Sequence, residues 1–327
     1  MCGVAVTGEL GPVRTMSFVL DIRRAATGLG ALLIAGFGFS GAAMARSTVL
    51  PVAAPAAVVS AQMVVCDRPV GVYSDAASAN AITLYAMEWS PFGARETGWE
   101  AYVPLIQHEI GAACDPTSQA FAEQLAVFQQ RYNLATTGQF DAATFAVFRG
   151  LWQERRPFVM ARVRGECPAP PPLSELGYLT VDEEHAERLT RLVRKDVLEA
   201  YRAMVEAARQ EVPEIAANPE LMRIFSSFRD PEADAARCAR ERNCDGVRRA
   251  VCSPHRTGTA LDIYVGNLQG YGVDSTNWHS RRYMSETPAY RWMVKNAHRF
   301  GFVPYVFEPW HWEWTGVSFD AASPSAP

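Results

Sequence analysis

The sequence has no excess of positive charge, no two cysteines at C-x-x-C spacing, and little that could span a membrane. Its net charge is −4 over 327 residues. This argues against nucleic acid as a partner, because nucleic-acid-binding domains usually carry a basic patch. The missing C-x-x-C spacing argues against a cysteine-ligated zinc site. The apolar run at residues 25–39 is too short and too rich in glycine for a convincing membrane span.

That apolar run has the layout of an export signal. Arg23 and Arg24 precede it, small residues follow it, and A-M-A at residues 43–45 fits a cleavage site. We therefore predict a signal peptide over residues 1–45, with Met16 as an alternative start. An uncleaved anchor is the alternative. A cleaved signal predicts a protein exported to the periplasm or cell wall, with no stable membrane span.

Removal of Cys2 with the signal would leave six of the seven cysteines. An even number of cysteines in an exported protein predicts disulfides, since the compartment is oxidising. The sequence does not determine the pairing. Cys238, Cys244 and Cys252 are close along the chain, and we expect pairing among them.

Two segments near the C-terminus contain the residue types that a catalytic zinc site needs. The segment S-P-H-R-T-G-T-A-L-D carries His255 and Asp262, and E-P-W-H-W-E carries Glu308 and His311. Two neutral imidazoles and a carboxylate can hold Zn²⁺ and leave a position open for water. Glu308 lies three residues before His311, near enough to take a proton from that water. A lone histidine is more often a packed one, but two in this context favour a metal site.

At these residues the chain resembles the LAS-type zinc D,D-peptidases, in particular the VanY-like D-alanyl-D-alanine carboxypeptidases. It matches their motifs S-x-H-x-x-G-x-A-x-D and E-x-W-H at every fixed position. The resemblance implies zinc held by His255, Asp262 and His311, with Glu308 as catalytic base. It also implies that Arg229, in the context S-S-F-R, steadies the substrate carbonyl.

The resemblance implies an exported zinc metallopeptidase, most similar to a D-alanyl-D-alanine carboxypeptidase, whose partners are peptidoglycan stem peptides. Family members usually have a glutamine-bearing helix after the arginine, which helps to hold the carboxylate of the peptide. Residues 230–238 contain no glutamine. An L,D-carboxypeptidase or a peptidoglycan endopeptidase therefore stays open, as does a cell-wall-binding protein without turnover.

Glu313 shares a predicted strand face with His311. It either orients that ligand from behind or is a solvated strand residue, and the sequence does not decide between the two. The four remaining histidines lack such a context and are predicted to be structural: His108, His185, His279 and His298.

Composition divides the rest of the chain. Residues 46–65, rich in Ala, Val and Pro, predict an extended linker, and residues 66–165 predict a small, mainly helical domain. The proline-rich residues 166–179 predict a stiff second linker. Residues 180–318 form the predicted zinc peptidase domain, and 319–327 are a tail.

The helical domain is best defined at two predicted helices. Apolar positions 121, 125, 128 and 132 have helical spacing after a Ser118 cap, and Asp141 caps the second helix. This arrangement resembles the small peptidoglycan-binding domain often joined to bacterial wall hydrolases; a plain helical packing domain is the alternative. The matching positions are Gln129, Leu134, Gly138, Phe140, Asp141, Thr144 and Phe148.

The peptidase domain is predicted to be α+β. A long helix should open at residues 180–184 and end at Pro213, and strands are expected at 221–225, 260–265 and 308–314. A second helix at 288–300 should end at Gly301. The fold class is thus a small antiparallel sheet with flanking helices that carries the zinc site.

Overall fold

The structure, a computed structural model, describes residues 66, 71–185, 191–242, 244 and 252–316. These residues belong to one compact unit, Val59–Pro327. The predicted signal at 1–45, the predicted linker at 46–65 and the tail at 319–327 lie outside the described residues. The predicted domain boundaries stay a prediction.

Residues 71–165, here called the helical region, form helices that enclose an aromatic core. The helices are α1 (Ser74–Ala86), α2 (Val103–Ile110), α3 (Gln119–Arg131), α4 (Ala142–Glu154) and α5 (Pro157–Val163). Two short antiparallel strands, β1 (Glu88–Trp89) and β2 (Glu96–Thr97), lie between α1 and α2. Both predicted caps are confirmed: Ser118 Oγ accepts from the Phe121 amide at 3.2 Å, and Asp141 Oδ1 accepts from the Thr144 amide at 2.7 Å. Each cap satisfies an amide that the first helical turn leaves without a partner.

The rest of the described chain is a second group of helices and strands. In chain order these are β3 (Leu176–Tyr178), β4 (Leu192–Arg194), α6 (Lys195–Glu211), α7 (Pro213–Ala217), β5 (Ile224–Ser226), α8 (Pro231–Glu241), β6 (Ala260–Ile263), α9 (Trp278–Glu286), α10 (Pro288–Asn296), β7 (Phe302–Tyr305) and β8 (Glu308–Trp314). β3 pairs with β4, and the main sheet has the order β5-β6-β8-β7 with antiparallel pairing throughout. Helices with small antiparallel sheets confirm the predicted α+β class.

The main sheet has one apolar face and one polar face at β8. Along that strand, Trp310 and Trp312 join the buried apolar core, whereas His311 and Glu313 point to the opposite side, as the predicted alternation requires. Helix α6 covers the core with side chains three or four positions apart. Those fully buried include Val197, Tyr201, Met204 and Ala208.

Three predicted elements differ from the structure. The long helix begins at Lys195, because Leu192–Arg194 pairs instead with Leu176–Tyr178, residues that the sequence assigned to a linker. The strand predicted at 221–225 covers Ile224–Ser226, since Met222 has a φ of 73° that interrupts an extended chain. The helix predicted at 288–300 ends at Asn296 and continues as a 3₁₀ turn to Gly301, whose φ of 83° matches the predicted cap.

The helical region and the main sheet share one continuous core. Phe92 packs on Phe307 with ring centroids 4.8 Å apart. Beside them the buried Arg281 guanidinium donates to Glu96 Oε1 at 2.6 Å and to the Phe307 carbonyl at 2.7 Å. The residue immediately before Glu308 is therefore held by the helical region.

The disulfides are Cys66–Cys114, Cys167–Cys252 and Cys238–Cys244. The expected pairing of Cys238 with Cys244 is confirmed. Cys252, the third cysteine of that group, pairs instead with Cys167, which lies 85 residues before it in the sequence. Of the helices that the structure describes, none combines the length and the apolar composition needed to cross a bilayer.

Candidate metal centre

The loop before β6 delivers His255. Ser253 Oγ accepts from the His255 amide at 3.3 Å and opens the 3₁₀ turn Pro254–Thr257. Gly258 then reverses the chain with a φ of 69°, and a Cβ there would lie 3.1 Å from Arg194 Cγ. Glycine therefore meets both the conformational and the steric demand of the turn from His255 into β6.

Strand register brings the other two predicted ligands together. Asp262 on β6 and His311 on β8 are direct antiparallel partners. His311 Nδ1 lies 2.9 Å from Asp262 Oδ1, and His255 Nε2 lies 3.2 Å from Asp262 Oδ2. The Nδ1 of His255 faces the Ser227 carbonyl at 2.8 Å, so that nitrogen donates and Nε2 is left to act as a ligand.

The three side chains are buried, and burial together with their mutual contacts moves their pKa values. Burial lowers the pKa of His255, which favours its neutral ring. Burial would raise the pKa of Asp262, but His255 and His311 hold it well below its usual range. Burial also lowers the pKa of His311, yet hydrogen bonds to Asp262 and Glu313 outweigh it and raise that pKa to about 9. The cluster thus pairs an ionised carboxylate with two histidine rings, and a cation bound to His311 would take the place of the proton that Asp262 and Glu313 favour on that ring.

Glu308 is the first residue of β8, consistent with its predicted place at the strand entrance. Its Oε2 lies 4.0 Å from His311 Nδ1, and its side chain keeps 30% of its exposure. Burial raises the pKa of Glu308, while the nearby His311 lowers it. A carboxylate beside the ligand cluster with a pKa moved toward neutrality is suited to proton transfer.

Arg229 lies on the other side of the His255 loop. Its amide donates to the His255 carbonyl at 3.2 Å, and its Nη2 lies 3.4 Å from Ser253 Oγ. Its charge contributes to lowering the pKa values of both His255 and Glu308, which places the guanidinium within electrostatic reach of the cluster. With 30% of its side chain exposed, it is accessible to a bound molecule.

Glu313 is buried, so its interpretation as a solvated strand residue is wrong. Its Oε1 lies 3.3 Å from His311 Nε2, on the far side of the ring from Asp262. The same oxygen accepts from Arg156 of the helical region, a residue that sequence reasoning missed. The two residues are 157 positions apart, and no local pattern around Arg156 signals the contact.

These residues fit a divalent metal ion. One donor atom from each of His255, Asp262 and His311 lies within 4.8 Å of the other two, and all three residues are buried. Two nitrogens and one carboxylate oxygen form a donor set that catalytic zinc sites use. Within the part of the chain that the structure describes, the other four histidines lie outside this cluster.

The region that contains these three residues matches a known protein family. Residues 190–317 match the VanY family, described as D-alanyl-D-alanine carboxypeptidase, so the resemblance that the two motifs predict is confirmed for this region. The chain is 26% identical over 144 residues to the putative carboxypeptidase YodJ of Bacillus subtilis (strain 168). The aligned part covers 38% of this chain and 47% of that protein, so the chain spans about half the length of this relative.

A solved structure described as the LdcB LD-carboxypeptidase, with the molecular basis of its peptidoglycan recognition, is 23% identical to this chain. The match covers 44% of this chain and 69% of the solved chain. Its TM-score of 0.32 is too low to establish that the two chains share a fold. The match to VanY begins at residue 190. The predicted resemblance of residues 66–165 to a peptidoglycan-binding domain stays a prediction.

Proposed function

We propose that the chain is an exported zinc metallopeptidase that hydrolyses peptidoglycan stem peptides as a D-alanyl-D-alanine carboxypeptidase. The observation that carries the proposal is the convergence of His255, Asp262 and His311 beside Glu308 in the region that matches VanY. The predicted signal peptide and the three disulfides support export to the periplasm or cell wall, where thiols oxidise.

Zinc would be held by His255 Nε2, the Asp262 carboxylate and His311 Nδ1. When bound, the ion supplies a Lewis acid that polarises a peptide carbonyl and lowers the pKa of water. Glu308 takes a proton from the attacking water and then passes it to the leaving amine. Its position at the mouth of the cluster, partly exposed and 4.0 Å from His311, suits both transfers.

Arg229 would bind the substrate carbonyl oxygen as negative charge develops on it. A positive group aimed at that oxygen typically contributes a few kcal/mol, about 10²–10³-fold in rate. The contacts of Arg229 with the His255 loop support this role, because they fix the arginine to the same turn that carries the ligand.

Peptidoglycan is the proposed partner as well as the substrate. The helical region would contact the polymer through its predicted likeness to a peptidoglycan-binding domain. Its shared core with the main sheet supports a fixed orientation of that region toward the metal centre. An enzyme held on its polymer meets a higher local concentration of stems.

A second specificity is favoured by one observation. Helix α8, Pro231–Glu241, contains no glutamine that could help to bind a free carboxylate. An endopeptidase, whose substrate has no free carboxylate next to the cleaved bond, would use the same metal centre on a different bond. An L,D-carboxypeptidase would also use that centre, but it needs a grip on a free carboxylate as a D,D-carboxypeptidase does.

The test is mass spectrometry of purified pentapeptide stems after incubation with the zinc-loaded protein. We expect the loss of one terminal D-alanine, and we expect no loss with the Glu308→Gln variant or in the presence of a chelator. Cleavage at another bond would keep the mechanism and replace the proposed specificity. No cleavage of any stem or cross-linked fragment would overturn the peptidase and favour a wall-binding protein.

A further inference from the structure

One buried arginine outside the VanY-matched residues reaches the metal centre. Arg156 lies immediately before helix α5, and 7% of its side chain is exposed. Its Nε and Nη2 donate to Glu313 Oε1 at 2.9 and 2.5 Å, while Nη1 donates to Gln153 at 2.6 Å. The guanidinium lies 4.0 Å above the ring of Tyr305, a neighbour of His311. Hydrogen bonds and stacking therefore hold it in one orientation.

The carboxylate oxygen that accepts hydrogen bonds from Arg156 also accepts one from a ligand histidine. Glu313 Oε1 lies 3.3 Å from His311 Nε2. An ionised carboxylate can only accept, so the imidazole must donate its Nε2–H. Nδ1 of His311 faces Asp262, which is another candidate ligand, so Nδ1 is the nitrogen whose proton a shared metal ion would replace. The contacts act in series: Arg156 holds Glu313, and Glu313 determines which nitrogen of His311 is the ligand.

We propose that Arg156 is a positioning residue of the metal centre, supplied by the helical region to fix the orientation of His311 through Glu313. The proposal rests on the proposed function in taking zinc as the ion. Carboxylate partners of metal-bound histidines typically contribute about 10–100-fold to metal affinity. Here the carboxylate is itself buried, 2% exposed, and needs a cation to keep its place.

The chemistry of this contact is specific to arginine. A guanidinium can direct two donors at one carboxylate and stack on an aromatic ring, whereas lysine offers a single point charge. Without the arginine, the buried Glu313 would keep only its contact with the His311 ring, and a buried charge that has lost a cationic partner is strongly unfavourable. We expect it to leave its position beside His311 or to pull the ring with it.

The test compares zinc affinity, measured by chelator competition, between Arg156→Ala and a matched control, Arg155→Ala. Arg155 is the preceding residue, but it pairs with Glu109 inside the helical region, at 2.6 and 2.7 Å. We expect Arg156→Ala to bind zinc about 10–100-fold more weakly than wild type, and Arg156→Lys to recover part of the loss. Arg155→Ala should bind as wild type does.

A double variant tests the chain of contacts itself. If Arg156 acts through Glu313, then Arg156→Ala combined with Glu313→Gln should bind zinc no more weakly than the weaker single variant. Additive losses would show that the two residues act separately and would overturn the proposal. Wild-type affinity in a folded Arg156→Ala protein would also overturn it.

A measurement without any variant keeps the proposal testable should Arg156→Ala fail to fold. Long-range ¹H–¹⁵N spectra of the zinc-loaded wild type should report His311 with a protonated Nε2 and a metal-bound Nδ1. Binding through Nε2 would overturn the proposal. Affinity and turnover separate the two claims: weak zinc binding by Arg156→Ala with no stem hydrolysis by wild type supports this inference and overturns the peptidase. If Arg156→Ala binds zinc as tightly as wild type and wild type hydrolyses stems, this inference is overturned and the peptidase is supported.

Discussion

The helical region and the main sheet are both densely packed, but the polar groups that each buries within itself differ in kind. The buried Glu96 and Arg156 of the helical region pair outside it, with Arg281 and Glu313. The buried polar groups that bond within the helical region are neutral. In the helical region, Asn80 and Gln129 are neutral amides bonded to backbone: Asn80 bridges the Gly138 carbonyl and the Phe140 amide at 2.9 and 2.8 Å. In the sheet, the buried polar side chains of β6 and β8 are ionisable. The amides hold a turn, whereas the ionisable groups converge on one point.

This difference separates buried polar groups that stabilise the fold from buried polar groups that serve a function. A buried amide with its hydrogen bonds made stabilises the fold at little cost, but a buried charge costs free energy unless it is paired or binds an ion. The sheet carries Asp262, His311 and Glu313 within one strand pair, and His255 reaches them from the turn before β6. Such a group is expected where chemistry requires it, so substitutions there should change activity more than stability.

The largest effect is expected at Glu308. Replacement by Gln keeps the shape and removes the proton acceptor, so stem hydrolysis should fall by at least about 10²–10⁴-fold. Zinc content and the unfolding midpoint should stay near wild type, because Glu308 is not one of the three ligands. Steady-state kinetics, with metal analysis of the same sample, provide the measurement. A variant that retains more than about a third of wild-type turnover would exclude Glu308 as the base.

The next effect is that of the ion on stability. Zinc at about 100 times its dissociation constant should add about 2.7 kcal/mol to the free energy of unfolding, because it binds only the folded centre. Denaturant titrations with zinc and with a chelator measure this difference. In His255→Ala the difference should disappear. Equal stabilisation of that variant would mean that the ion binds elsewhere.

A smaller effect, on stability alone, is expected at Gln129. Its Oε1 accepts from the Thr137 and Gly138 amides at 3.0 and 2.8 Å. Gln129→Ala removes these partners and should cost about 1–3 kcal/mol. The matched control is Gln130→Ala, since that neighbour is exposed. Denaturant unfolding measures both variants. A loss of turnover in folded Gln129→Ala at unchanged zinc affinity would contradict the division between the two regions.

The smallest effect is expected at Ser118. Its hydroxyl caps α3, and Ser118→Ala should cost about 1 kcal/mol with no change in zinc affinity or turnover. Thermal unfolding against wild type measures the shift. An unchanged midpoint would mean that solvent replaces the cap at this helix.

The sequence predicts more of the site than of the fold that surrounds it. His255, Asp262 and His311 converge as expected, because their motifs fall on a tight turn and on two strands whose residue patterns are local. The start of α6 could not be predicted, since the apolar residues at 192–193 suit a strand or a helix and a partner strand decided between them.

Contacts between residues far apart in the sequence could not be predicted either. Arg156 and Glu313 are 157 residues apart in the sequence, and Cys167 and Cys252 are 85 residues apart. The local pattern of residues therefore indicates neither contact. Both contacts join the main sheet or its loops to residues before the VanY match, which begins at residue 190.

The most direct test of the central claim, that the buried charges of the sheet serve a zinc ion, is anomalous diffraction at the zinc absorption edge from crystals grown with zinc. The predicted result is a peak bounded by His255 Nε2, the Asp262 carboxylate and His311 Nδ1. Fully occupied zinc elsewhere with no peak among these three atoms would contradict it.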